Sequence, residues 1–151
     1  PDGWRYWLIH LAKSARARQV YNDVLHANAT SQAHFGRAGL NMLSYDPSHD
    51  GALYLFEDDD RERARAALAE DIPRVIAANG NRLSVEHFYN AVYNLTPAHN
   101  DDIHQAMLDN PDLEVITPAG RLRRVARAIQ SEDVISLKTQ RSFFSRLLRR
   151  S

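Results

Sequence analysis

Residues 84–129 read SVEHFYNAVYNLTPAHNDDIHQAMLDNPDLEVITPAGRLRRVARAI, and the order of patterns in this segment predicts the fold. Ser84 precedes apolar residues at helical spacing, which makes it the predicted N-cap of a first short helix. Residues 96–99 form a predicted turn, because they place a proline among small and polar residues. Asn100 is the predicted cap of a second helix that ends near Asn110. The segment therefore predicts two helices separated by a tight turn.

A basic β-hairpin is predicted directly after the second helix. Residues 113–116 form its first strand, residues 117–120 its turn, and residues 122–129 its return strand. A helix over residues 61–78 supplies the first helix of the same motif. This order is that of a winged helix-turn-helix. The predicted class is α+β, mostly helical, with the winged helix-turn-helix in the C-terminal part and short β-hairpins.

The chain upstream of this motif shows weaker signals. Ser14 is the predicted N-cap of a helix that runs to residue 27. Residues 4–11 fit either a strand or the first turns of a helix, and residues 28–39 are predicted to be irregular. Two apolar runs, residues 40–45 and 52–56, fit either a hairpin or two separate strands.

Three local signals concern the first helix of the motif. Asp58, Asp59 and Asp60 are predicted to open it, since acidic groups stabilise the positive end of a helix dipole. Pro73 lies inside the run and predicts a kink or a break there. Gly80 is suited to the left-handed position after its end.

The chain divides into three predicted parts. Residues 1–60 are an N-terminal helical and β segment continuous with an upstream domain, and residues 61–138 are the winged helix-turn-helix. Residues 139–151 are a basic amphipathic helix. Its apolar stripe is predicted to pack against the helix over residues 16–26 or against a second copy of the chain. The stripe consists of Phe143, Phe144, Leu147 and Leu148.

Charge is unevenly distributed along the 151 residues. Up to residue 118 there are ten basic and seventeen acidic residues, whereas the last 33 residues hold nine basic and two acidic ones. A basic end favours a polyanionic partner, although pairing of this end with the acidic body is the alternative. The chain has no cysteine and no apolar run long enough to span a bilayer. These features favour a cytoplasmic protein with no membrane partner, and the start at Pro1 favours a piece of a longer chain.

The nucleic-acid contacts are predicted on two elements. On the second helix, His99, Asn100 and Gln105 are candidates to read base edges in a major groove. Three aspartates on that helix oppose this interpretation, because they would repel phosphates, and two of them are equally explained as first-turn acids. On the wing, the candidates for phosphate contact are Arg121, Arg123, Arg124 and Arg127. The alternative for them is a solvated strand face.

No catalytic, cofactor-binding or metal-binding pattern is found in the sequence. No two of the seven histidines have the i,i+4 spacing of a helical metal site. There is no phosphate-binding glycine loop, no nucleotide-binding fingerprint and no nucleophile elbow. We therefore expect that this chain itself is not an enzyme and needs no cofactor.

Several stretches resemble the C-terminal region of the three-Cys-motif partner proteins of bacteria. They are YWLIHLA at residues 6–12 with VYNDVL at 20–25, LSYDP at 43–47 with LYLF at 53–56, and the closing helix-turn-helix with RLRR at 121–124. The resemblance implies a winged-helix accessory region that follows a methyltransferase-like domain. It implies no substrate.

Two functions compete at this point. The first is a non-catalytic nucleic-acid-binding module, with duplex DNA as partner, within a larger bacterial protein. The alternative is a protein-interaction or dimerisation module of a methyltransferase-like or defence-associated protein, which forms a homodimer or docks on the missing N-terminal domain.

Overall fold

The computed structural model describes residues 10–28, 34–35, 39–40, 53–92 and 95–139, with the backbone alone at residues 34, 35 and 53. In chain order the helices and strands are α1 (Ala15–Ala27), β1 (His34–Phe35), β2 (Leu53–Tyr54), α2 (Asp58–Ala78), β3 (Arg82–Ser84), α3 (Val85–Val92), α4 (Asn100–Asp109), β4 (Leu113–Ile116) and β5 (Val134–Leu137). A short 3₁₀ turn, Ala126–Ala128, precedes β5. The predicted elements at residues 4–11 and 141–150 fall mainly or wholly outside the described residues, as does most of the apolar run at 40–45.

The elements from α2 to β5 form a winged helix-turn-helix, so the predicted α+β class is confirmed. Three antiparallel strands are ordered β3-β5-β4, with Leu83 and Val115 both opposite Ile135. Ile135 is fully buried because it lies in the central strand. Helices α2, α3 and α4 share one apolar core with this sheet, to which Leu68, Phe88 and Met107 contribute side chains with no exposed surface. Burial of such side chains is the main stabilising contribution to the domain.

The predicted helix boundaries are confirmed where a local cap sets them. The Ser14 hydroxyl accepts a hydrogen bond from the backbone N–H of Ala17 at 3.3 Å. The Ser84 hydroxyl accepts one from the N–H of His87 at 3.2 Å. Gly80 follows α2 with φ of 81°, in the left-handed region predicted for it. The predicted cap of α4 is wrong. His99, rather than Asn100, is the N-cap, and its Nδ1 accepts from the N–H of Asp101 at 3.2 Å.

Pro73 does not break α2, which runs as one helix from Asp58 to Ala78. A proline has no N–H, so it leaves the carbonyl of the residue four positions earlier without its helical partner. That carbonyl belongs to Ala69, and it accepts a hydrogen bond of 2.7 Å from the side-chain amide of Asn110 at the end of α4. The predicted break is therefore wrong, because a distant side chain replaces the missing donor.

The predicted return strand of the hairpin is also wrong. The partner of β4 is β5 at Val134–Leu137, whereas the predicted strand over residues 122–129 has one isolated bridge, between Leu122 and Ile116, and the 3₁₀ turn. The central position in the sheet is buried, and Ile135 suits it. The arginine-rich segment has no apolar face to place there. Residues 117–133 are instead the long loop between β4 and β5, and we call this loop the wing.

The N-terminal elements make a smaller second core. Strands β1 and β2 pair antiparallel, and β1 lies inside the segment predicted to be irregular, which is a further correction. Leu25 of α1 packs with Tyr54, Phe56 and Ala64. The early part of the chain is thereby joined to the start of α2.

Candidate nucleic-acid interface

The base of the wing is held by backbone hydrogen bonds. The Thr117 N–H donates to the Arg121 carbonyl at 2.8 Å, and the Arg121 N–H donates to the Thr117 hydroxyl at 3.0 Å. Between them Gly120 adopts φ of 78°, which a side chain would strain. The Arg123 N–H then donates to the Val115 carbonyl at 2.8 Å. The first part of the wing is therefore fixed against β4.

Arg123 is the internal tie of the wing. Its guanidinium donates to both carboxylate oxygens of Asp133, at 2.7 and 3.1 Å. Asp133 has no exposed surface and also accepts from the backbone N–H of Gln130 at 2.9 Å. The hydrogen bond to Asp133 raises the pKa of Arg123 above its usual range. Arg123 consequently links the first half of the wing to its last residue, and its charge is balanced by Asp133.

The other three predicted arginines of the wing are exposed. Arg121, Arg124 and Arg127 make no ion pair among the described residues, and we call them the wing arginines. The segment that carries them is not the return strand that the sequence predicted. Leu122 and Val125 lie between them and are also exposed. The surface of the wing thus alternates basic and aliphatic side chains.

The 3₁₀ turn within the wing is fastened to α4. The Nδ1 of His104 lies 3.1 Å from the carbonyl of Ala126 in the 3₁₀ turn. Burial lowers the pKa of His104, so the neutral ring, which donates through Nδ1, is the favoured form. Ile129, just beyond the turn, is buried in the main core. Both ends of the basic segment are therefore anchored.

Helix α4, the predicted reading helix, presents an acidic face. Ile103, Ala106 and Met107 are buried in the core, and Asp102 is held by Arg61 through two hydrogen bonds of 2.9 and 3.0 Å. Asp101 and Asp109 are exposed. The helix contains no lysine or arginine.

The polar candidates on α4 are engaged within the protein. The Gln105 amide donates to the Asp109 carboxylate at 2.7 Å. His99 caps the helix and also lies 3.3 Å from the carboxylate of Asp23 on α1. Asn100 is half-buried and lines a small cavity together with Arg18 of α1. The structure therefore brings His99 and Asn100 against α1, and not to an open groove-facing surface.

Helix α1 covers the turn that precedes α4. The side-chain amide of Asn22 donates to the carbonyls of Thr96 and Ala98, at 3.0 and 3.2 Å. The Nε2 of His26 lies 3.0 Å from the carbonyl of Pro97. These contacts were missed from the sequence, because a turn carbonyl leaves no signature that identifies a partner more than seventy residues away.

Neither a membrane-spanning helix nor a metal-binding cluster is found among the described residues. None of the helices described is long and apolar enough to cross a membrane. No group of three or more histidine or acidic side chains in the described ranges is placed to hold a metal ion.

Comparison with known proteins identifies the fold family. No curated protein and no solved structure matches the chain. A family model, described as the GMT-like wHTH domain, matches residues 44–120. The match includes α2, β3, α3, α4 and β4 and ends immediately before Arg121. Since it covers half of the 151 residues, the chain belongs to the GMT-like wHTH domain family.

Proposed function

We propose that this chain is a DNA-binding module that holds the backbone of a duplex through its wing arginines. A winged helix-turn-helix domain suggests a nucleic-acid-binding module at the coarse level. The finer proposal is supported by the different environments of the four arginines of the wing. Arg123 is paired with Asp133 and stiffens the wing, while Arg121, Arg124 and Arg127 stay exposed. Exposed guanidinium groups on a fixed backbone suit phosphate contact.

The acidic face of α4 supports a wing-led mode of binding. Exposed Asp101 and Asp109 would lie near phosphates if α4 entered a major groove, and the repulsion would weaken the complex. Phosphate contacts position a protein on a duplex but carry no sequence information. We therefore expect moderate affinity, strong salt dependence and no recognition of individual bases.

The test is a fluorescence-anisotropy titration of a labelled generic duplex at several salt concentrations. Each phosphate contact contributes about −0.9 to the slope of log K against log salt. The triple variant R121A/R124A/R127A should flatten the slope by up to about 2.7 if every wing arginine makes one contact. R16A/R82A removes exposed arginines elsewhere and should leave the slope nearly unchanged. Absence of wild-type binding at low salt, or equal effects of the two variants, would refute the proposal.

A protein-interaction module is the second candidate, and exposed apolar residues on α1 favour it. Val20 and Val24 are four residues apart and are 47% and 51% exposed. These two side chains offer an apolar surface for a partner protein or a second copy. Sedimentation velocity on the wild type and on V20A/V24A distinguishes the candidates. A dimer that the variant dissociates would favour the interaction module.

We place the chain within a larger bacterial protein related to the three-Cys-motif partners. The resemblance of residues 6–12, 20–25 and 43–47 supports this placement, and so does the winged-helix family match. Reading the gene upstream of Pro1 tests it. A methyltransferase-like domain is expected there, and an unrelated domain would contradict the placement.

We also propose that the chain acts without catalysis, in the cytoplasm. The support is the absence from the sequence of the glycine-loop and nucleophile motifs. Incubation with DNA and RNA in Mg²⁺ or Mn²⁺ should give no cleavage. Metal-dependent cleavage that substitution of Asp58, Asp59 or Glu114 abolished would overturn the proposal.

A further inference from the structure

Two aliphatic side chains are displayed at the surface of the basic wing. Leu122 is 55% exposed and Val125 is 49% exposed. Arg121 and Arg124 immediately precede them, and Arg127 follows. Phosphate contact alone requires only the basic groups, so it does not account for Leu122 and Val125. Their place between arginines indicates a surface that meets apolar and anionic groups together.

The support beneath these side chains is firm. Backbone hydrogen bonds of 2.8 Å on both sides of Leu122, at Arg121 and Arg123, fix the chain that carries it. After Val125 the 3₁₀ turn begins, and His104 and the buried Ile129 hold that end. A side chain that inserts into a partner molecule requires a backbone held in a fixed position. These contacts hold the backbone of the wing in that way.

The minor groove of duplex DNA offers the matching environment. Rows of phosphates flank it, and proteins that bind there often insert aliphatic side chains between base steps, which bends the duplex. The groove is about 6 Å wide and admits the edge of a loop, whereas a helix with its side chains is about 10–12 Å across. The acidic face of α4 disfavours the alternative docking in the major groove.

We infer that Leu122 and Val125 form a wedge that enters the minor groove of duplex DNA while the wing arginines hold the phosphates on either side. This inference rests on the proposed function and specifies its geometry. It has three consequences. The bound duplex is bent, the complex is displaced by a minor-groove ligand such as netropsin, and A·T-rich sites are preferred because their narrow groove attracts arginine.

The experiment uses the full chain and a duplex of about 20 base pairs with a fluorophore at each end, so that energy transfer reports bending while anisotropy reports binding. The wild-type protein should increase the energy transfer. Netropsin should displace the protein from the duplex, and the major-groove ligand methyl green should not. L122A/V125A should lose the bending and about five- to tenfold in affinity, with its salt slope unchanged because its arginines remain. L11A/L55A, which truncates two exposed aliphatic residues outside both the wing and α1, should behave as wild type.

The outcomes separate this inference from the proposed function. Wild-type binding that neither bends the duplex nor responds to netropsin would overturn the wedge and leave wing-based DNA binding intact. An equal loss in L11A/L55A would also overturn it. No binding at low salt would reject the proposed function itself. If L122A/V125A lost binding to vesicles of phosphatidylcholine and phosphatidylglycerol but kept its DNA complex, the wing would be a lipid-surface element and the inference would fail.

Discussion

The hydrogen bond between Asn110 and Ala69 should be the support that lets α2 continue through Pro73. Asn110 is buried, its side-chain N–H donates to the Ala69 carbonyl at 2.7 Å, and its side-chain oxygen Oδ1 accepts from the N–H of Asp112 at 2.9 Å. Each hydrogen bond contributes about 0.5–1.5 kcal/mol, and an unsatisfied carbonyl costs about 1–3 kcal/mol. These contributions overlap, so N110A should lower the free energy of unfolding by about 2–4 kcal/mol.

The mechanism makes a sharper prediction for a double-mutant cycle with P73A. The substitution restores a backbone N–H at position 73 that can donate to the Ala69 carbonyl, so N110A should cost about 1–2 kcal/mol less in that background. Urea denaturation followed by far-UV circular dichroism measures all four free energies. Asn79 is the control, because its exposed amide donates to the Val75 carbonyl of the same helix at 2.8 Å. The cost of N79A should not depend on residue 73. A cost for N110A that is equal in both backgrounds, or below about 0.5 kcal/mol, would refute the reasoning.

Three further predictions concern the core, the wing and pH. M107A should lower the free energy of unfolding by about 2–5 kcal/mol in urea titrations, because the side chain is fully buried. D133N should weaken the ion pair with Arg123. Hydrogen exchange should then be faster at the backbone N–H of Arg123, and anisotropy should show weaker DNA binding. Burial lowers the pKa values of His26 and His104 below their ordinary value of about 6.5, so the unfolded chain binds more protons. Stability should therefore fall as pH drops below about 7, and H104Q should show a smaller loss between about pH 7.5 and 5.5 in urea titrations.

The class of fold could be predicted from the sequence because its signals are local. Ser14, Ser84 and Gly80 act on backbone groups within four residues, and each does in the structure what its position predicted. Apolar residues at helical spacing marked α2, α3 and α4, whose inward faces are fixed by the geometry of a helix. A helix, a turn, a helix and a β-strand in this order suffice to indicate a winged helix.

For the candidate site, the sequence predicted which residues take part but not how they are arranged. The sequence identified the four arginines of the wing but could not separate Arg123 from the other three, because its partner is set by the path of a loop. The sequence also predicted the return strand at residues 122–129, whereas the strand that pairs with β4 in the structure is β5, at Val134–Leu137. A strand forms where its side chains fit the packed faces of its neighbours, and that fit is a property of the assembled sheet.

What the sequence determined by itself, then, was the kind and order of the elements and the basic character of the wing. The tertiary structure alone decided which arginines stay exposed, how Pro73 is accommodated, and that α1 covers the turn before α4. Each of these depends on a pair far apart in the chain, such as Asn110 with Ala69 or Asn22 with Ala98. Such pairs form because buried polar groups must find partners once the chain is folded, and the nearest partner in space is not the nearest in sequence.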